Sequence, residues 1–565
     1  MLRISPTFRR IALGLLIVLV LLFTAGFLFA RFWLDDYVKE KLITSIDQSS
    51  QQMYALQMDK LHVNIFTGSA KATGVQIHTD SLRWASLRQS KPDSTPLNID
   101  LQLASVAIRY FHWGAYWRNK ELKINGIEIV EPQLKIISVK DTVLEKDPKT
   151  DTLTKNMLDQ LPQLIAPLAK SLTIGSVAIR NGKVAYRTEH PRGVTYQQAD
   201  SIDWYLMGMN IVPSDTSETG KALYANNIML TIRNVELYPA NDVYAYRVKV
   251  ATVIGQEEVV KLEGVTILPK ISDAEFIQRL KFRKPRLRIT AAEVVVRKLN
   301  LFRALHKKEW TMESVTVESA RINIFQNKNL PLKRNKRMPN EMFRTINSYL
   351  NIDTILIRNS HILYTEVKDD GKGLLEFDNA NGVMLNISND RLKMSDTTPA
   401  RIYARAELMG AGKLDVSLNL PLLAGTFRCN YLVNLGKMDM TYLNRLLTDK
   451  DNLRIESGEA ENVILKAQVQ DGLAQGTLEA TYNDLKLSVL QDDTGKKKKF
   501  ISAVANLIIR GNNDRENTDR PFKVGEVYYR REPDDGFIRF LWRSAQSGLM
   551  KTLVPGNLKL GKKKE

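Results

Sequence analysis

The chain has 565 residues, of which 44% are hydrophobic and 25% charged, with a formal net charge of +19 and a pI near 9.6. That apolar content excludes wholesale disorder, and the length suits three or four ordinary domains or one elongated repeat array. Cys429 is the only cysteine, so no intrachain disulfide forms, and the positive excess calls for anionic partners.

The first element is Ile11 to Ala30, twenty residues without a charge. At about 1.5 Å per helical residue it spans about 30 Å, the hydrocarbon thickness of a bilayer. Signal-peptide cores are shorter and end at a small-x-small site, whereas Leu28 here stands two residues before Ala30. The segment is expected to remain as a single-pass anchor. Arg3, Arg9 and Arg10 precede it, and Arg31 is soon balanced by Asp35 and Asp36, so the amino terminus is expected in the cytoplasm and the body outside it. Phe32, Trp33 and Tyr37 suit the outer interfacial belt.

A fifteen-residue phrase then recurs at Leu122 to Ile136, Leu172 to Tyr186, Trp310 to Ile324 and Leu350 to Tyr364. Apolar or aromatic residues stand at its positions 1, 3, 6, 8, 11, 13 and 15, an alternation that argues for β-strand. Asn181-Gly182 and Asn359-Ser360 read as two-residue turns, which makes each phrase an antiparallel hairpin with Ile179 opposite Val184 and Ile357 opposite Ile362. Pro132 demands a different turn in the first copy, and the parity break between positions 3 and 6 predicts a bulge. On this register Ile127, Ile129, Val177, Ile179, Val184, Tyr186, Val315, Val317, Ile355, Ile357, Ile362 and Tyr364 share one apolar face, with Arg180, Lys183, Arg358 and His361 on the other. Helical spacing precedes the second copy (Leu158 to Leu168) and the fourth (Met342 to Leu350). Strand-like text continues to Leu490, and Leu61 to Leu490 is expected to hold roughly 25–30 strands. A one-sided hairpin must stack with its neighbours to bury its face; a sandwich, a barrel and an open trough all satisfy this.

The segment 491–536 reads as polar loop and linker. After it, Ile538, Leu541, Trp542, Ala545, Leu549 and Leu553 follow helical spacing over Phe537 to Val554, before a basic tail ending at Glu565. This helix either caps the sheet or, through Ile538, Leu541, Trp542 and Leu549, touches a membrane or a partner. The chain thus divides into a tip and anchor (1–34), a β-repeat body (35–490), the linker (491–536) and the terminal helix (537–565).

Nothing in the chain has the spacing of a catalytic or metal site. The six histidines are dispersed, with no H-E-x-x-H, P-loop or G-x-S-x-G, so neither catalytic residues nor metal ligands nor a cofactor are expected. Basic runs at Arg279 to Arg288, Lys328 to Arg337, Lys496 to Lys499 and Lys562 to Lys564 lack any nucleic-acid motif, so no nucleic-acid partner is expected.

The chain resembles the AsmA-like family of envelope proteins, relatives of TamB and analogues of chorein-type bridge-like lipid transfer proteins. The likeness rests on the anchor leading to Leu61 to Asp80, on the repeated phrase, on Leu443-Asn444 followed by Ile455 to Gly458, and on Gly476 to Leu485. It implies an inner-membrane anchor, a mainly β periplasmic body forming an elongated, curled antiparallel sheet with an apolar groove and a few short helices, and a role in moving phospholipid or maintaining the outer membrane. Its expected partners are a phospholipid or other anionic envelope lipid, the inner membrane, and an outer-membrane or envelope protein. The rival expectations are a structural scaffold that recruits assembly partners without carrying lipid and, more remotely, an envelope glycan enzyme.

Overall fold

The computed structural model describes residues 33–90, 96–139, 162, 165–191, 193–213, 224–240, 242–368, 371–451, 453–489, 510–516 and 521–553. It is mainly β, with 58% strand and 17% helix, in one mixed sheet of 23 strands. The chain divides into two compact units: the first runs to Asp242 and includes Val250–Gln256, the second is Val243–Lys249 with Glu257 onward.

The first unit contains α1 (Leu34–Ser49), β1 (Tyr54–Gln57), β2 (Lys60–Asn64), β3 (Ser69–Thr79), α2 (Ser81–Ser90), β4 (Asn98–Phe111), α3 (Trp113–Asn119), β5 (Glu121–Val130), β6 (Gln133–Val139), β7 (Ser171–His190), β8 (Gly193–Ile211) and β9 (Asn227–Tyr238). β1 and β2 lie end to end on β3, and β5 and β6 lie end to end between β4 and β7. The residues of β10 (Tyr244–Ile254) are divided between the units.

The second unit continues with β11 (Val259–Pro269), α4 (Asp273–Gln278), β12 (Arg286–Arg297), β13 (Glu309–Glu318), β14 (Arg321–Asn327), α5 (Pro339–Phe343), β15 (Tyr349–Lys368), β16 (Gly371–Ser388), β17 (Ala400–Leu408), β18 (Gly412–Leu420), β19 (Cys429–Leu435), β20 (Met438–Asp439), α6 (Asn444–Asp451), β21 (Leu453–Gln470), β22 (Leu473–Val489), β23 (Val524–Arg530) and α7 (Phe537–Leu553). β13 and β14 are again collinear, sharing β12 on one side and β15 on the other.

The hairpin reading of the repeat is corrected here. The second and fourth phrases are single strands, β7 and β15, each 20 residues long. A type I′ turn needs positive φ at both central residues. Asn181 (φ 53°) and Asn359 (φ 49°) have it, but Gly182 and Ser360 do not, so the chain bends and continues. Ile179 pairs with Trp204 and not Val184; Ile357 pairs with Gly382 and not Ile362. Among the described residues the sheet has 23 strands.

The phrases instead pair with one another, parallel and in register. Leu122, Ile124, Ile127 and Ile129 stand beside Leu172, Ile174, Val177 and Ile179, a constant offset of fifty. Trp310, Met312, Val315 and Val317 stand likewise beside Leu350, Ile352, Ile355 and Ile357. The sheet is therefore mixed, not purely antiparallel. Parallel neighbours need a crossover connection. The fourth phrase is entered through α5, which ends at Phe343 and so replaces the helix expected over Met342 to Leu350, Leu350 already lying in β15; most of Leu158 to Leu168, before the second phrase, lies outside the described residues.

Each unit also has a crease. Gly74, Glu131, Asn181, Ser201 and Asn234 have φ between 49° and 60° and lie at one level on β3, the β5–β6 break, β7, β8 and β9. Gly264, Ser319, Asn359 and Asn379 repeat the pattern in the second unit, with φ of 47–63°. The backbone N–H of Asn181 donates to Asp203 Oδ1 (3.0 Å) and that of Asn359 to Asn381 Oδ1 (3.1 Å), so the bent residue keeps a partner. A left-handed residue bends the strand and shifts side-chain parity, which is why the apolar positions skip from 8 to 11.

The end strands are blunted by helices. Asp35 of α1 accepts from the N–H of Val63 on β2 (2.7 Å), and Ser547 of α7 accepts from the N–H of Tyr528 on β23 (3.2 Å). An edge strand so covered is a poor template for further pairing. β23 itself lies inside the stretch read as linker: its Val-x-x-Val-Tyr-Tyr text is too short to stand out between charged flanks. Asn513, in the same stretch, is fully buried, donating to Ala480 O (2.6 Å). Among the described residues no helix is long and apolar enough to cross a membrane; Ile11 to Ala30 lies outside them.

Candidate functional site

Paired residues on neighbouring strands point to the same face, so the register converts the apolar periodicity into rows running across the strands. In the first unit one row is Ala70, Ile108, Ile127, Val177, Leu206 and Ile228. The next is Ala72, Val106, Ile129, Ile179, Trp204 and Leu230. Beyond the crease Leu134 joins Val184, and Ile136 joins Tyr186.

In the second unit a row passes through Val296, Val315, Ile355, Met384, Ile402, Leu418, Tyr431 and Ala467. Its neighbour passes through Val294, Val317, Ile357, Gly382, Ala404, Val416, Val433, Leu465 and Leu478. Beyond the crease Ile322 meets Ile362 and Ile324 meets Tyr364. All twelve residues singled out in the sequence thus lie on these rows, and all twelve are half-buried. Strand repeats of this kind were legible; the partners across strands were not, because the turn assignment was wrong.

Polar groups intrude at defined points. Tyr364 Oη donates to Glu366 Oε2 (2.7 Å) and Gln326 Oε1 (2.9 Å). Glu366 is almost wholly buried and paired with Lys328; burial, then Glu366's charge, pushes the Tyr364 phenol up. Among the described residues Tyr186 Oη and Trp204 Nε1 are shut off from solvent with no hydrogen-bond partner. The opposite face carries cross-strand ion pairs: Glu128 with Arg180 (2.9 Å) and Arg109, Arg358 with Glu318 (3.1 Å), and Lys261 with Glu293 (2.8 Å), Lys261 also pairing along its own strand with Glu263 (2.7 Å).

Toward the carboxy terminus the same rows run into a closed core. Leu418, Tyr431, Leu465, Ala467 and Leu478 are buried beneath α7, with Phe540 at its centre. The inward face of α7 carries Phe540, Ser544, Gly548 and Thr552, all fully or nearly fully buried. Its small residues let the helix lie close, because a Cβ on Gly548 would stand 2.8 Å from Val527 and one on Gly525 would stand 2.1 Å from Gly548 O. Of the four helix residues marked as a contact surface, Leu541 and Leu549 pack on this core, while Ile538 (74% exposed) and Trp542 (59%) face outward. Ser544 Oγ bonds the Tyr431 hydroxyl at 2.5 Å. Burial pushes the Cys429 thiol and the Tyr431 and Tyr482 phenols each up to about 12.

Two clusters escaped sequence reasoning because they form only through strand register or turn packing. His361 Nδ1 meets Asp378 Oδ1 at 2.8 Å while its Nε2 faces Glu376 Oε1 at 3.6 Å, and Arg445 takes the other Glu376 oxygen at 2.8 Å. The two ring nitrogens serve different carboxylates, which ties the imidazole between strands, and one ligand atom from each of His361, Glu376 and Asp378 lies within 4.8 Å of the others. At the foot of α7, burial opposes the charge of Asp535. The Tyr529 hydroxyl (2.7 Å), the Arg539 guanidinium (2.7 Å) and the Glu532 N–H (3.1 Å) outweigh it and hold the carboxyl below its usual range. The basic runs at 279–288 and 328–337 also meet, Arg283 Nε donating to Leu330 O at 3.2 Å.

No protein-family model matches the chain, and no curated protein matches it.

Proposed function

We propose that this is a non-enzymatic, membrane-anchored envelope protein whose body faces the periplasm and holds phospholipid acyl chains along the apolar rows. The observation that carries the reading is that these rows are continuous across β3–β9 and β12–β16 while the twelve residues singled out on them stay half-buried, with Ala72, Leu206 and Ile228 buried beside them. A row that its own protein does not seal is costly in water at about 25 cal/mol per Å² and favours an apolar occupant. The resemblance to AsmA-like proteins leads to the same reading, including the inner-membrane location and a role in outer-membrane homeostasis.

A scaffold that carries no lipid is the second reading, and the closed core beneath α7 favours it for that part of the molecule. Mass spectrometry of lipids retained by the full chain in mild detergent separates the two. Stoichiometric phospholipid is expected, and a clean absence would leave the scaffold.

A further inference from the structure

We propose that one end of the first strands is a second membrane contact, a foot that lies in the headgroup zone of the same bilayer as the anchor. Four side chains form it: Ile65 and Phe66 in the β2–β3 turn, and Trp113 and Trp117 on α3. They are 39%, 62%, 44% and 69% exposed, an unusual density of bare apolar and aromatic surface.

The patch is built, not frayed. Asn64 Oδ1 accepts from the N–H groups of Phe66 and Thr67 (3.1 Å each), fixing the turn. Trp113 Nε1 donates to Ile65 O (3.0 Å), which ties α3 to that turn, and the Trp113 ring stands edge-on to Phe111 at 4.5 Å. Gly68, at φ +62°, lets the Phe111 backbone approach so closely that a Cβ would lie 2.3 Å from Phe111 O. Cations accompany the rings: Lys120 Nζ sits 4.9 Å from the Tyr116 ring centre and 5.8 Å from that of Trp117. Exposed tryptophan and phenylalanine interleaved with lysine is the composition that settles at a lipid–water interface, the rings among acyl carbonyls and the ammonium at phosphate.

The occupant follows from where the chain enters. Ala30 ends the uncharged run three residues before Trp33, which can be no more than about 11 Å of chain. Asp35 is in turn bonded to Val63 N (2.7 Å) and His62 Nδ1 (3.1 Å), so the first turn of α1 sits at the end of β2, two residues from Ile65. Trp33 and Tyr37, 61% and 56% exposed, extend the aromatic surface toward that entry. A bilayer that holds Ile11 to Ala30 therefore brings its surface to the patch. The contact would set the first strands directly against the lipid from which the rows must fill.

The proposal rests on reading Ile11 to Ala30 as an anchor, and the test separates the two. Cys429→Ala gives a cysteine-free full-length chain, into which single cysteines are placed at Phe66, Trp117, Leu82 and Leu21. Leu82, 84% exposed, lies at the far end of β3 and is the matched control. Each is spin-labelled in vesicles of phosphatidylethanolamine and phosphatidylglycerol, with far-UV circular dichroism confirming the β fold. Accessibility to oxygen, which partitions into lipid, is compared with that to a water-soluble nickel chelate. Labels at 66 and 117 are expected to show several-fold lower nickel access than the label at 82, with oxygen access retained. If 66 and 117 are as water-accessible as 82 while 21 is in lipid, the anchor stands and the foot is refuted. If 21 is also in water, both fall. Labels at 66 and 117 shielded from both reagents would point to a protein or a second copy and would equally overturn the membrane contact.

Discussion

A single apolar row meets two different fates in the second unit. Between β13 and β16 the row holding Val317 and Ile357 is half-buried, whereas between β21 and β22 the same row holds Leu465 and Leu478 at 6% and 3% exposure. Strand text and register hardly change along it. What changes is the second layer: α7 lies over β22 and β23, and its Phe540, Leu541 and Leu549 fill the face. The sheet pattern alone therefore decides where an apolar face forms, and a separate element decides whether it is sealed. In the proposed function the unsealed part carries lipid and the sealed part holds the sheet end together.

The sharpest way to break this comparison is to put the same charge at both ends of the row. Leu465→Asp places an unpaired carboxylate in the closed core and should cost about 3–5 kcal/mol. Ile357→Asp meets water or lipid and should cost about 1–2 kcal/mol while displacing bound phospholipid. Urea unfolding in detergent, with lipid content measured beside it, reads both. Equal stability losses would mean that the row is sealed throughout, and unchanged lipid content in Ile357→Asp would remove that segment from the lipid path.

Closer to the seal, Gly525→Val and Gly548→Leu push side chains into backbone and core atoms 2.1–2.9 Å away. Each should destabilise by about 1–3 kcal/mol through overpacking, with early loss of the α7 contact visible in hydrogen exchange of β22 and β23. A neutral result for both would show that α7 sits farther from the sheet than the structure places it.

How much of this was legible depends on which contacts are local. The phrase repeat and its alternation were readable at Leu122 to Ile136 and its copies, and so was the helix at Phe537; the bulge expected between positions 3 and 6 is absent from the register, which shifts at the crease between Ile179 and Val184 instead. The error lay at Asn181-Gly182 and Asn359-Ser360: a favourable turn pair and a crease share the same first residue, and only the φ of the second separates them. On α7, Ile538 and Trp542 of the marked contact surface face outward, while Leu541 and Leu549 turn into the core. The sheet demanded small residues for close approach, and Ser544, Gly548 and Thr552 do not register in a hydrophobic stripe. His361 with Asp378 lay beyond sequence reading because seventeen residues separate them.

A smaller effect comes from pH, and in the sealed region it has two opposite parts. Cys429, Tyr431 and Tyr482 are held neutral with values near 12, above those of the unfolded chain. Their contribution is fully present below the unfolded thiol and phenol values and is lost as pH rises toward 12. Asp535 has the opposite sign: its lowered value contributes stability above the unfolded carboxyl range, lost as pH falls through the folded value. Urea unfolding across pH should therefore show stability highest near neutrality and falling toward both extremes. Maleimide labelling of Cys429 should be slow at pH 7, and fast labelling there would show that the core is open.

The smallest expected effect tests the outer face of α7. Ile538 and Trp542 are exposed, so replacing either by Ser removes little packing and should change stability by no more than about 0.5 kcal/mol. Leu541→Ala, one residue from Trp542 but packed on the core, should cost about 1–3 kcal/mol. The contrast matters because these two outward residues are what remains of a contact surface once Leu541 and Leu549 are committed to the core. If Ile538→Ser and Trp542→Ser leave both the melting temperature and the retained lipid unchanged yet abolish transfer between vesicle populations, the helix seals with one face and docks with the other. If transfer also survives, α7 is a cap and nothing more. A fall in melting temperature matching that of Leu541→Ala would mean that the outer face is itself covered, and the division of the apolar rows into open and sealed parts would then have to be redrawn around a third layer.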